Sequence, residues 1–241
     1  MIMLNKLVNT LIRSLVKFLR APKMIFYKSR LGKCGKDVVI AFPCKMSKPT
    51  HIFMQDYTLI QPNVTFIMNQ GKVYIGKWSV IASNCILITD NHVPTVGVNH
   101  RMLGRYHIND RVKDIVLEDD CWAGAGVTLM SGAKLGRGSI AAAGALVNKE
   151  VPPYAVVAGI PAKIIASVFT KEQIIEHEKS LYPVERRLTL REIDNLFEKY
   201  FKDKRAIGQS KINEVEYKKI IAHRKMQFDI PINKYIYNEN S

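Results

Sequence analysis

Three histidines, His92, His100 and His107, fall within one 27-residue stretch, 88–114, with Arg101, Arg105, Tyr106 and Arg111 among them. Imidazole exchanges its proton nearest neutral pH of all side chains, so a histidine held on a loop can take the proton of an attacking hydroxyl. Most loop histidines do nothing chemical, and His100 and His107 receive no assignment. The four cysteines offer less. Cys34, Cys44, Cys85 and Cys121 form no C-x-x-C pair and have no histidine at zinc-finger spacing, so they read as reduced thiols of a cytosolic protein and none is proposed as a nucleophile.

A loop histidine needs a rigid scaffold, and the sequence supplies a repeat on either side of the stretch. From Leu117, steps of six reach Ala123, Leu129, Leu135, Ala141 and Val147, while the positions four later are Cys121, Val127, Ala133, Ser139, Ala145 and Val151. All are apolar or small. The period is not helical. It fits a coil whose short flat sides each take one hexapeptide, with the aliphatic residue pointing inward and small residues turning the corners. Stacked coils pair as parallel strands and bury a continuous column that one coil could not bury alone.

The same phase holds for Ile75, Ile81 and Leu87 with Ser79 and Cys85, and a further set comprises Met54, Ile60 and Phe66 with Thr58 and Val64. Nine residues separate Phe66 from Ile75, so a small corner loop is expected around Asn69-Gln70-Gly71. After Leu87 the pattern stops and resumes at Ile115. The stretch 88–114 is therefore a long excursion from a regular solenoid, a place where function concentrates.

The flanks have other periodicities. Leu4, Leu7, Val8, Leu11, Ile12, Leu15, Val16 and Leu19 recur at helical spacing opposite Lys6, Arg13, Lys17 and Arg20, and the first 36 residues hold nine basic groups and no acidic one. Residues 1–30 are therefore read as a basic amphipathic helix. Arg13 and Lys17 interrupt its apolar run well short of the ~20 residues of a membrane span, and it lacks a secretory cleavage pattern. It can lie on an anionic membrane through residues 1–20 or pack its apolar stripe on protein; both readings stay open. The expected setting is the cytoplasm, with peripheral contact at the inner face of the membrane as a possibility. At the other end, Thr170-Lys171-Glu172-Gln173 and Thr189-Leu190-Arg191-Glu192 have the capping-box form and predict two helices within a basic extension, 166–241.

Composition bounds the rest. The 241 residues are 47% hydrophobic and 24% charged, enough for one domain with a core and appendages, and disordered or fibrous classes drop out. The 36 Lys and Arg against 21 Asp and Glu give a net charge of +15, which draws the protein toward phosphorylated or other anionic ligands. No nucleic-acid reading motif accompanies that charge, so nucleic acid is not an expected partner.

Within residues 75–165, Ile75-Gly76, Thr89-Asp90-Asn91-His92, Asp120-Cys121-Trp122-Ala123-Gly124-Ala125-Gly126-Val127, Lys149-Glu150-Val151-Pro152-Pro153 and Ala158-Gly159-Ile160-Pro161-Ala162-Lys163 closely resemble the hexapeptide-repeat acetyltransferases. The resemblance is to the branch with galactoside and maltose acetyltransferases and with enzymes that acetylate capsule or exopolysaccharide sugars. It implies a mainly β fold, a left-handed parallel β-helix over residues 31–165, and O-acetylation of a saccharide hydroxyl by acetyl-CoA, as in surface glycan biosynthesis. His92 sits where the family places its catalytic base. The family also implies an oxyanion donor at the backbone N–H of Ala125, a wall of the acceptor or pantetheine site at Trp122, and a CoA groove at Gly124, Ala125, Ala143, Asn148, Lys149 and Lys163.

The resemblance further implies a homotrimer with sites between neighbouring β-helices, a small-molecule or oligosaccharide acceptor, and no metal. One departure stands out. Where some members hold the acceptor with asparagine, this chain reads Gln61-Pro62-Asn63, so Asn63 and Gln61 are candidates for acceptor binding. No carboxylate is assigned to orient His92; Asp90 is merely near it in sequence. Other readings on the same fold are N-acetylation of an amino sugar that is nucleotide- or lipid-linked, a non-catalytic membrane-surface scaffold, and a metal-dependent hydratase. The last needs histidines projecting from neighbouring coils, and the repeats hold almost none.

Overall fold

A computed structural model describes residues 25–210 together with 212, 213, 215, 216 and 218. Residues 25–30 are helical, and the amphipathic helix read over 1–30 otherwise lies outside the described residues. The hexapeptides form a parallel β-helix. Sheet A stacks Lys33–Cys34, Ile52–Met54, Val73–Ile75, Ile115–Leu117, Lys134–Leu135 and Glu150–Val151. Sheet B stacks Val39–Ile40, Leu59–Ile60, Val80–Ile81, Trp122–Ala123, Ile140–Ala141 and Ala155–Ala158, and sheet C stacks Lys45–Met46, Thr65–Ile67, Ile86–Ile88, Thr128–Leu129 and Leu146–Val147. Each coil runs from A to B to C, in the three-sided register of left-handed β-helices.

The two predicted inward series line the core throughout. Leu117, Ala123, Leu129, Leu135, Ala141 and Val147 are buried, and so are Cys121, Val127, Ala133, Ser139, Ala145 and Val151. Burial pushes the Cys121 thiol up to about 12, which leaves it an inert packing group.

Two kinds of corner position explain the small residues. Asp120, Gly126, Gly132, Gly138 and Gly144, each six residues apart, have φ of 58°, 70°, 82°, 65° and 72°, a left-handed conformation that glycine adopts at least cost. Gly124 serves another purpose. A Cβ there would lie 2.8 Å from the backbone nitrogen of Ala143 in the next coil, so its lack of a side chain sets how closely two corners stack.

Two of the helices after the solenoid start as their capping boxes predict. Thr170 and Gln173 cap Lys171–Leu181, and Thr189 and Glu192 cap Leu190–Leu196. A strand, Lys163–Ser167, first folds back antiparallel on Ala155–Ala158. Ile174 and Ile193 then pack with Tyr154, Val156, Ala166 and Val168 against the outer side of sheet B, whereas Leu196 and Phe201 join the main core at the end of the column. Among the described residues, no helix is long and apolar enough to cross a membrane.

Candidate active site

The excursion leaves the solenoid at the edge between sheets C and A. Asp90–Asn91 pairs antiparallel with Arg111–Val112, and this ribbon carries the loop away from the coil. Asp90 fixes its base. Its carboxylate accepts the N–H groups of Asn69 and Gln70 at 2.8 and 2.9 Å, and also the Thr89 hydroxyl. The corner loop predicted around Asn69-Gln70-Gly71 is thus the surface on which the excursion is pinned. At the far end, His100–Tyr106 forms a short helix, α1, capped by Asn99 and anchored by the buried Leu103.

His92 projects from the end of the ribbon, and its side chain is 44% exposed. Its Nδ1 lies 2.7 Å from Oδ1 of Asp110, whose own side chain is only 4% exposed. The second carboxylate oxygen meets Nδ1 of His107 at 2.8 Å, and the two rings lie 5.5 Å apart. An ionised carboxylate only accepts hydrogen bonds, so both Nδ1 atoms donate and each Nε2 is left as an acceptor. That tautomer is the one a base requires. Asp110, not Asp90, is therefore the carboxylate that orients His92.

Burial by itself would raise the Asp110 carboxyl, but the hydrogen bonds and charges of His92 and His107 outweigh it and hold it below its ordinary 3.8. Burial opposes ionisation of Asp90 too, and the Thr89 hydroxyl with the amides of Asn69, Gln70 and Gly71 holds it below 3.8 as well. Groups depressed in the folded state stabilise it fully above their unfolded value, and that stabilisation is lost as the pH falls through the folded value. As the pH falls below 3.8, protection factors against amide exchange in residues 89–112 should therefore drop ahead of those in the repeat strands. An equal loss of protection along the whole chain would contradict this.

His92, His107 and Asp110 are also the group among the described residues whose ligand atoms lie close enough, within 4.8 Å, to hold a metal ion. An ion on Nδ1 of His92 would move the single proton of the neutral ring from Nδ1, where it is donated to Asp110, to Nε2. Such a ring could not act as a base.

The other candidate residues divide between two edges. Gln61, Asn63, Gly124, Ala125 and Ala143 stack along the edge between sheets B and C, with Trp122 on the adjoining outer face of sheet B at 52% exposure. Among the described residues the N–H of Ala125 has no acceptor, while its carbonyl takes the N–H of Gly144. Gln61 accepts from Ser83 at 3.2 Å. Asn63 holds a left-handed corner, with φ of 65°. Asn148 and Lys149 lie on the edge between C and A, below the excursion, and share with Lys163 a cavity of about 600 Å³ that Lys134, Leu196 and Tyr200 also line. Within one chain, His92 and Ala125 are thus separated by the width of sheet C.

Comparisons with known proteins agree with this architecture. No protein-family model matches the chain. A probable macrolide acetyltransferase of Lysinibacillus sphaericus is 35% identical over 136 residues, 49% of this chain and 71% of that protein. The chain belongs to the hexapeptide-repeat acetyltransferases. WcaF of Escherichia coli, assigned to acetylation in colanic acid biosynthesis, is 29% identical over 134 residues, covering 56% of this chain and 68% of WcaF. Among solved structures, a hexapeptide-repeat acetyltransferase of Vibrio cholerae in complex with acetyl-CoA is 28% identical with a TM-score of 0.55, over 62% of this chain and 78% of the other. As a member of this family, the protein is an acetyltransferase.

Sequence reasoning missed Asp110 and the part played by His107. A carboxylate three residues after a histidine, inside a loop already singled out, was the available signal. The separation of 18 positions between His92 and Asp110 hid the pairing, because only the ribbon brings the two ends of the loop together.

Proposed function

We propose that this acetyltransferase moves the acetyl group of acetyl-CoA to a hydroxyl of a saccharide acceptor, with His92 as general base and Asp110 as its positioning residue. The observation that carries the reading is the exposed His92 imidazole, fixed by a buried carboxylate with Nε2 left to accept a proton. The assignment of WcaF to colanic acid biosynthesis supports a saccharide, and the acetyl-CoA held by the Vibrio cholerae structure supports the donor. As the acceptor oxygen attacks the thioester carbonyl, its proton passes to Nε2 and the carbonyl oxygen becomes an oxyanion. In this reading the N–H of Ala125 receives that oxyanion. Collapse breaks the carbon–sulfur bond, and the imidazolium returns its proton to the departing thiolate of CoA.

Because His92 and Ala125 occupy different edges, the reading requires a neighbouring copy to bring them together, as in a homotrimer with shared sites. Residues 31–165 then carry catalysis in the cytoplasm. Trp122 walls the acceptor or pantetheine site, with Gln61 and Asn63 near the acceptor. Gly124, Ala143, Asn148, Lys149 and Lys163 line the path of CoA, where lysines meet phosphates.

The first test needs no acceptor. Acetyl-CoA at 100 times its dissociation constant should stabilise the protein by about 2.7 kcal/mol, seen as a rise in melting temperature. Release of CoA thiol on addition of saccharides then identifies acceptors. An unchanged melting temperature at millimolar acetyl-CoA would remove the donor assignment, and a fully active monomer would remove the shared site.

A further inference from the structure

The geometry around Nε2 of His92 contains a glycine that neither backbone conformation nor packing demands. Gly104 lies inside α1, where glycine costs roughly 1 kcal/mol relative to alanine. It is not among the residues with positive φ. A Cβ built on it would sit 3.6 Å from Nε2 of His92, an ordinary van der Waals contact rather than a clash. The omitted methyl therefore leaves room beside the atom that accepts the proton.

The charges of the excursion are one-sided. All three acidic residues of the excursion have internal work: Asp90 caps amides, Asp110 binds the two imidazoles, and Asp114 accepts the N–H of Lys72 at 2.8 Å. Arg101, Arg105 and Arg111 are exposed, and none forms an ion pair among the described residues. Arg101 precedes Gly104 by three positions and so shares its side of the helix. Arg111 pairs with Asn91, the residue before His92. Uncompensated guanidinium groups beside an opening recognise carboxylate or phosphate.

We propose that the acceptor carries an anionic group close to the hydroxyl that is acetylated, and that α1 recognises it: Gly104 leaves the entrance beside Nε2 open and Arg101 supplies the charge. The proposal rests on His92 as the base. The anion can be the carboxylate of an acidic sugar or the phosphate of a linked carrier.

Alkylation of His92 tests this without acetyl-CoA or transfer, so its failure is separable from failure of the acetylation reading. The full-length protein is treated at pH 6 with iodoacetate or iodoacetamide, and the product on His92 is followed by peptide mass mapping against N-acetylhistidinamide in the same tube. Relative to that reference, the anionic reagent should be favoured at His92 by about 10-fold or more. Arg101→Gln should bring the ratio toward the reference without changing the iodoacetamide rate. Gly104→Ala should slow both reagents and keep the ratio. A wild-type ratio equal to the reference, or a ratio unmoved by Arg101→Gln, would overturn the proposal.

Protection assigns the source of the charge. Methyl β-glucuronide should protect His92 from iodoacetamide if the group is a carboxylate, and glucose 1-phosphate if it is a phosphate. Equal protection by methyl β-glucoside, or none by either anion, overturns the proposal. So does stronger protection by adenosine 3′,5′-bisphosphate, which would give the cations to the donor's phosphates instead.

Discussion

His92→Ala should lower kcat for acetyl transfer by about 10²- to 10⁴-fold while leaving the thermal shift with acetyl-CoA in place. The size follows from what the imidazole does: without it the acceptor loses its proton to water during attack, but the solenoid and its edges are untouched. His92 lies on an excursion and is half-exposed, so its truncation removes no core packing. Asp110→Asn distinguishes a positioning role from a merely structural one. An amide has one acceptor oxygen for two Nδ1–H donors, so one of the two rings must turn or change tautomer. The expected result is a fall in kcat with the KM for acetyl-CoA unchanged, because the carboxylate acts only through the imidazole. If His92→Ala retained near-native kcat, the base would have to be sought elsewhere; a parallel rise in KM in Asp110→Asn would point to disorder of the loop.

The solenoid was legible because each of its requirements is local. An inward residue at Leu129 or Leu135 is demanded by its own hexapeptide, and six units in succession repeat the demand. The helices were legible for the same reason, since Thr170 with Gln173 and Thr189 with Glu192 close their caps within four residues. The corner glycines were legible only in part. Gly126 and Gly138 hold the left-handed corners, whereas Gly124 and Gly136, which look alike in sequence, are needed because the next coil passes within 2.8 and 2.6 Å of their missing Cβ atoms. The site was read only as far as His92, which a motif marks. Asp110 and Gly104 acquire meaning from the folding back of a loop that has no periodicity, so spacing could not reveal them.

The same limit applies to Glu178, and Glu178→Ala should destabilise the protein by about 3–5 kcal/mol. In sequence it is one charge among many on a capped helix. In the fold it is buried, with a side chain 2% exposed, and it accepts four hydrogen bonds. Arg137 Nη1 lies 2.9 and 3.3 Å from its two oxygens, the Tyr154 hydroxyl donates at 2.6 Å, and the N–H of Leu188 donates at 3.0 Å. Burial first, and then the bond to Glu178, push the Tyr154 hydroxyl far above the ordinary tyrosine range, so it remains a donor at any pH the fold survives. Arg137 belongs to one coil, Tyr154 to the next, and Glu178 to the Lys171–Leu181 helix. One carboxylate therefore fastens the C-terminal helices to the last coils. Its removal leaves the Arg137 charge, 15% exposed, without its partner and leaves a buried phenol without an acceptor. Replacing both charges apolarly, as in Arg137→Met with Glu178→Leu, should cost less than Glu178→Ala alone, because no partly buried charge is then left uncompensated. Denaturant midpoints of Arg137→Met, Glu178→Leu and the double measure the coupling; additive losses would mean that the pair contributes nothing beyond its separate contacts.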